Sequence, residues 1–377
     1  MNTAATQRTK TKRNQRTGRW RWMLMLPAGL CLLAGLDAAL LLLDVPAPVP
    51  NADWASAHGL IMVYGFVGAL ICLERAVALG KPAGYLAPIL LVLGGASTLA
   101  VVPGWVTSSL LITGMTGMLC IYVPLWRRQR ADAVLIQMLG ACAGLAAVVL
   151  WAGGVSIPLV LPWLTTFVVA TIAGERVELA RVQLGRRAET LAPVLAFALL
   201  AASATTSLFI NVGTVLFGLA LAAQVLWLLV NDVARRTIKS AGAPRFMAAC
   251  LLAGYFWLFI AAVTWMLGYP NTTVRYDTVI HAVFLGFVMS MIMAHASTIL
   301  PAVLAIKLPY RKAMWVPALL LHLGLIIRLW LGDGLGLHLA WQIGGVLNVI
   351  ALLLFLLVAA GSALYSFIDH GKKAPTS

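Results

Sequence analysis

Histidine is the residue type in this sequence that could do chemistry, and five of its six copies precede the C-terminal tail: His58, His281, His295, His322 and His338. Imidazole nitrogen binds haem iron as an axial ligand and also suits copper. Two imidazoles from different helices at the same depth could therefore hold one haem between them.

A methionine accompanies one of these histidines. Met62 follows His58 by four residues, which places both side chains on one face of a helix. Thioether sulfur is a soft ligand for cuprous copper, so Met62 is a candidate copper ligand. The alternative is that Met62 fills a gap in apolar packing, which is the common use of methionine.

The composition determines which elements position these side chains. The chain has 377 residues, of which 62% are hydrophobic and 10% charged, and its mean hydropathy is +0.94. An ordinary soluble domain is about 45–50% apolar and about 25% charged. The apolar runs are continuous, whereas a transmembrane barrel alternates apolar and polar residues. We therefore predict an all-α polytopic membrane protein in the lipid bilayer.

One bilayer span takes about 20 apolar residues, and the apolar runs predict about twelve transmembrane helices. They form a single bundle over residues 22–368, between a basic tail (1–21) and a short C-terminal tail (369–377). The predicted spans are 22–43, 57–79, 84–102, 105–125, 132–153, 157–180, 190–210, 212–231, 246–268, 277–305, 313–332 and 337–368.

The placement of charge predicts the orientation of the bundle. Of the 27 Lys and Arg residues, all except Arg275 and Arg328 fall in the two tails and at alternate span ends. Because cytoplasmic segments are enriched in Lys and Arg, we expect both termini to be cytoplasmic, in a bacterial inner membrane. The net charge of +15 thus reflects orientation and does not indicate a nucleic-acid partner.

This orientation sorts the histidines by depth. His58, His281 and His338 begin spans at the outer face, and interfacial placement is the alternative for each. His295 lies 14 residues after His281, about 21 Å along an α-helix, and comes to a depth similar to that of His322. His295 and His322 could hold a second cofactor, carry protons, or serve as hydrogen-bonded packing residues.

Two Glu-Arg pairs end the second and sixth spans, in the similar segments "LERAVAL" (Leu73–Leu79) and "GERVELA" (Gly174–Ala180). The similarity is a weak indication of internal duplication, which many transporters show. The pairs could form a proton entrance or a docking surface, or could simply anchor the helix ends.

Two segments carry a resemblance to a known family. The first, "AHGLIMVYGFVGALI" (Ala57–Ile71), contains His58 and Met62, and the second, "IHAVFLGFVMSMIMAHA" (Ile280–Ala296), contains His281. They resemble the NnrS family of twelve-span bacterial membrane proteins. The resemblance implies a kinship in plan with subunit I of haem-copper oxidases, in which low-spin haem ligands lie on the second and tenth helices.

The resemblance implies haem binding by His58 and His281, with copper as a further cofactor and a role in denitrification or nitric oxide stress. The sequence departs from the family where Gly59-Leu60-Ile61 replaces a second histidine. It has no adjacent His-His pair and no His-x-x-x-Tyr motif, so we do not expect an oxidase-type copper centre.

The first functional hypothesis is therefore a haem-binding and potentially copper-binding membrane redox protein, with a redox partner protein. Its expected cofactor ligands are His58, His281, His295 and His322, and Met62 and His338 are additional candidate metal ligands. The second hypothesis is a secondary transporter of a small solute or metal ion. The third is an accessory or assembly factor for a membrane redox complex. Whether the protein is an enzyme stays open.

Overall fold

The computed structural model describes residues 25–100, 102–180, 186–304 and 308–372. Within these ranges eleven helices are long and apolar enough to cross a bilayer, and Pro82–Ser97 is a shorter apolar helix. In chain order they are α1 Met25–Leu42, α2 Asp53–Leu79, α3 Pro82–Ser97, α4 Gly104–Gln129, α5 Asp132–Ala152, α6 Ile157–Ala180, α7 Glu189–Leu208, α8 Ile210–Asn231, α9 Ala243–Met266, α10 Thr273–Pro301, α11 Lys312–Asp333 and α12 His338–Ser366.

These helices confirm the predicted all-α polytopic membrane protein, and the described residues contain no strand. The basic tail, residues 1–21, and the last residues of the C-terminal tail lie outside the described ranges. The orientation across the membrane stays a prediction. An α-helix suits this setting because it satisfies its backbone hydrogen bonds internally, where lipid offers no partner.

The helix ends follow local backbone signals. Gly80 ends α2 in a left-handed conformation, with φ of +70°, which glycine adopts without steric cost. Helices α7 and α8 are separated at Phe209, close to the break predicted near Asn211 and Gly213. Helix α10 begins at Thr273, four residues before the predicted start, so Asp277 lies within the helix.

Consecutive helices from α2 onward pack against each other around the bundle. The last helix returns to the first, where the Gln342 side chain donates to the Leu43 carbonyl at 2.9 Å. Helices α2, α6 and α10 are the innermost, with 72%, 78% and 72% of their apolar segments buried, against at most 56% for the other spans in the described residues. These three helices carry most of the polar residues considered below.

Three helices contain a π-helical segment, in which the backbone hydrogen bonds reach one residue further than in an α-helix. The segments are Ile61–Gly68 in α2, Ala282–Met289 in α10 and Ile327–Asp333 in α11. His281 directly precedes the second segment, and Arg328 lies in the third. Such segments occur frequently at functional sites.

Helices α2 and α3 cross at two glycines, and this crossing generates a prediction. A Cβ added at Gly95 would lie 2.5 Å from the Gly65 Cα atom. We expect Gly95→Leu to destabilise the bundle by about 3 kcal/mol, the upper part of the range for overpacking. The measurement is the thermal unfolding midpoint in detergent. Gly29→Leu is the matched control, because a Cβ at Gly29 meets no atom within 4 Å. Equal losses of thermal stability in the two variants would contradict the close crossing of α2 and α3.

Candidate functional site: two histidines at a shared cavity

Helices α2, α10 and α12 begin, and α11 ends, at one end of the bundle, which we call the histidine end. A cavity of about 590 Å³ lies there, lined by both His58 and His281 together with Arg328 and Trp341. A narrower apolar cavity of about 110 Å³ is lined by the same two histidines and extends along α2 and α10 as far as Val67 and Met289. The structure therefore brings His58 and His281 to one site, as the sequence predicts.

In each of the two imidazoles one ring nitrogen, Nδ1, is engaged in a hydrogen bond. His58 Nδ1 donates to the Gly35 carbonyl of α1 at 2.8 Å, and His281 Nδ1 lies 3.0 Å from both the carbonyl and a carboxylate oxygen of Asp277. Neither Nε2 atom has a hydrogen-bond partner among the described residues. Histidines that bind metal usually donate their other N–H to a carbonyl or carboxylate, which orients the ring. Both side chains have this arrangement.

Asp277 is itself held by an arginine from a third helix. Arg328 of α11 donates from Nε and Nη2 to the two Asp277 carboxylate oxygens, at 2.8 and 2.7 Å. The Arg328 guanidinium also lies over the Trp341 ring, 5.0 Å from its centroid. The chain Arg328–Asp277–His281 therefore orients one imidazole through a bidentate ion pair, which is geometrically specific. The remaining Nη1 of Arg328 has no hydrogen-bond partner in the described part of the chain.

The donor set distinguishes between cofactors. In the described residues, no group of three or more His, Cys, Asp or Glu side chains is arranged to hold a metal ion. A haem iron needs only two axial protein ligands, so the two free imidazole nitrogens fit a haem. Met62 lines the narrower cavity, where its sulfur packs against Gly35 of α1. The described residues around His58 and His281 therefore offer two imidazole nitrogens and the Met62 sulfur as ligand atoms.

A family model described as "Domain of unknown function (DUF8744)" matches residues 21–364. The chain belongs to the DUF8744 family. No curated protein and no solved structure matches this sequence significantly. The family match includes all twelve helices up to the last residues of α12, so the histidine end lies within the DUF8744 unit.

The other histidines of the DUF8744 chain have different surroundings. His295 is buried and uses both ring nitrogens: Nδ1 donates to the Met291 carbonyl and Nε2 accepts from Arg176, each at 2.8 Å. His322 Nδ1 accepts from the Trp257 indole at 3.0 Å. These contacts are those of hydrogen-bonded packing residues, the alternative that the sequence left open for His295 and His322.

His338 is exposed at the start of α12, and its ring lies 5.6 Å from the Trp341 ring, centroid to centroid. It does not line either of the two cavities that His58 and His281 share. Its position is that of an interfacial residue, the alternative to metal ligation.

The opposite end of the bundle, where the Glu-Arg pairs lie, contains a buried polar network. Arg176 forms two hydrogen bonds with Asp232, at 2.6 and 2.8 Å, and the Tyr255 hydroxyl donates to Asp232 at 2.6 Å. Burial raises the pKa of Asp232, but the hydrogen bonds and charge of Arg176 outweigh it and hold that pKa below its usual range. Through His295 the network joins α6, α10 and the segment after α8.

Sequence reasoning missed two residues of the histidine end, Asp277 and Arg328. Asp277 lies four residues before His281, a spacing that predicts a shared helix face. Arg328 was seen only as an exception to the charge bias of the loops. A buried arginine within an apolar span was the available signal, because such residues are costly unless paired.

The Asp232 network yields a pH-dependent prediction. We expect Asp232→Asn to lower the unfolding free energy by about 3–5 kcal/mol at neutral pH, because it leaves the buried Arg176 charge unpaired. Since the folded pKa of Asp232 lies below the unfolded value of about 3.9, the stabilisation is complete above that pH and is lost as the pH falls further. The measurement is thermal unfolding of the unaltered protein and of Asp232→Asn between pH 7 and pH 3. The difference between their unfolding midpoints should shrink at the acid end of this range.

The matched control is Asp132→Asn, since Asp132 is exposed at the first position of α5. Loss of its interaction with the helix N-terminus is expected to cost about 0.3–1 kcal/mol. An Asp232→Asn effect no larger than that of the control, or one that grows towards acid pH, would contradict the buried ion pair.

Proposed function

We propose that this DUF8744 protein binds haem at the histidine end, with His58 and His281 as the two axial ligands. The observation that supports the proposal is that these imidazoles, from α2 and α10, line the same cavities and each has Nδ1 engaged and Nε2 free. The cavity of about 590 Å³ falls within the usual range for ligand sites, roughly 300–1,000 Å³.

The residues around the two ligands have definable tasks. The Gly35 carbonyl and Asp277 keep Nδ1 protonated in His58 and His281, so that each Nε2 offers a lone pair. Arg328 keeps Asp277 in place. Nη1 of Arg328, which has no partner among the described residues, can donate a hydrogen bond to a haem carboxylate. Bound haem supplies a one-electron redox centre and a binding position for small gases.

We further propose a role in membrane redox chemistry linked to nitric oxide or denitrification, in a bacterial inner membrane. This part rests on the resemblance to the NnrS family in the segments around His58 and His281. Copper is a further element of the proposal, because the thioether side chains of Met62 and Met289 line the narrower cavity together with the two histidines.

Secondary transport is the second candidate function. An apolar cavity at the Glu-Arg end is lined by Glu74, Glu175 and His295, and it shares Val67 and Met289 with the narrower cavity at the histidine end. Two cavities that approach each other from opposite ends of a bundle resemble the arrangement needed for alternating access. Uptake of a small solute or metal ion into proteoliposomes would favour this candidate.

The haem proposal predicts an optical spectrum. Full-length protein purified after expression with haem supply should show a Soret band with the sharp α and β bands of low-spin, bis-imidazole haem. His58→Ala and His281→Ala should each abolish the low-spin bands, because a single axial imidazole leaves the iron high-spin or unbound. Added imidazole should restore the low-spin spectrum in either variant.

His338→Ala is the matched control, because this exposed histidine lies at the same end of the bundle and outside both cavities. Its spectrum should equal that of the unaltered protein. A protein without a Soret band, or a low-spin spectrum that survives in both His58→Ala and His281→Ala, would overturn the haem assignment.

A further inference from the structure

A fourth cavity opens on the lipid-facing side of the bundle, between α1, α3 and α12. It has a volume of about 620 Å³ and almost entirely apolar walls. Its lining includes Leu30, Leu33 and Leu93, which are 56%, 43% and 50% exposed, respectively. The opening therefore faces the hydrocarbon region. A ligand that enters here must therefore be dissolved in the membrane.

One carboxylate lies in this apolar cavity. Asp37 of α1 lines it and is only 8% exposed. Its Oδ1 accepts from the Val49 backbone N–H at 3.0 Å, whereas its buried Oδ2 has no partner among the described residues. A buried acceptor without a donor is unfavourable, and an ionisable residue within a membrane helix is a functional candidate.

The cavity defines the chemistry of its occupant. The apolar walls require a hydrophobic body, the opening requires solubility in lipid, and the acceptor Oδ2 of Asp37 has no donor among the described residues. The occupant must therefore present a hydrogen-bond donor, which a phosphodiester group does not offer. Trp54 contributes an aromatic wall suited to a ring.

We propose that this cavity binds a membrane-soluble hydroquinone, whose hydroxyl group donates to Oδ2 of Asp37. The position supports this ligand class: Asp37 lies two residues from Gly35, whose carbonyl holds the His58 imidazole. The functional meaning of that proximity, access of an electron donor to the redox site, rests on the proposed haem function. The binding itself does not require haem.

The experiment compares the two redox forms of one ligand. Radiolabelled decyl-ubiquinol and decyl-ubiquinone are titrated anaerobically into full-length protein in nanodiscs, and retention by empty nanodiscs is subtracted. Because the unpartnered Oδ2 of Asp37 gains a donor from the hydroquinone and none from the quinone, we expect the reduced form to bind about 10-fold more tightly. Asp37→Asn replaces the free acceptor with an amide donor and should remove or reverse this preference.

Three further variants complete the design. Asp44→Asn is the matched control, since Asp44 is exposed in the loop after α1 and its left-handed backbone, with φ of 54°, suits asparagine. It should keep the preference. Ala96→Phe fills the cavity from α3 and should abolish binding of both forms. His58→Ala should retain binding, which separates this site from the haem proposal.

Absence of saturable binding, equal affinity for the two redox forms in the unaltered protein, or an unchanged preference in Asp37→Asn would each overturn the hydroquinone site. Retained binding in Ala96→Phe would place the ligand elsewhere and would overturn it as well.

Discussion

A polar group between membrane helices has no water to bond with, so it must find its partner in the protein or in a ligand. The buried arginines follow this constraint, since Arg328 is paired with Asp277 and Arg176 with Asp232. Against that background, the central feature of the histidine end is a pair of imidazole Nε2 atoms at one cavity for which the described residues offer no partner. Hydrogen bonds to Gly35 and Asp277 hold their Nδ1 atoms, and these bonds also set the direction in which each Nε2 points.

The arrangement of the bundle explains how distant parts of the chain reach one site. Helices α2, α6 and α10, each four helices apart in the sequence, form the buried centre. The similar Glu-Arg pairs lie in the last turns of α2 and α6, and the internal duplication that they suggest stays a prediction. The π-helical segments of α10 and α11 adjoin or contain His281 and Arg328. Local widening of a helix changes where its side chains point, and here it occurs beside the cavity that those side chains line.

The sequence predicted much of this architecture because one physical signal, the length of apolar runs, controls it. Helix positions follow from that signal, and it also places His58 and His281 near one end of the bundle. The partners of each histidine could not be predicted, since they depend on which helix face meets which neighbour. The sequence left His295 as a cofactor ligand, a proton carrier or a packing residue, and it could not show that Arg176 donates to its Nε2. Asp37 could not be predicted as a binding residue, because only the lack of a partner for its Oδ2 among the described residues distinguishes it, and that is a property of the packed structure.

The most direct measurement of the central claim is a cryo-EM map of the full-length protein in nanodiscs, purified from cells supplied with haem. We predict planar density at the histidine end, joined on opposite faces to the rings of His58 and His281 through Nε2. A map in which the space between these rings is closed by apolar side chains, or in which either ring faces lipid, would contradict the proposed site.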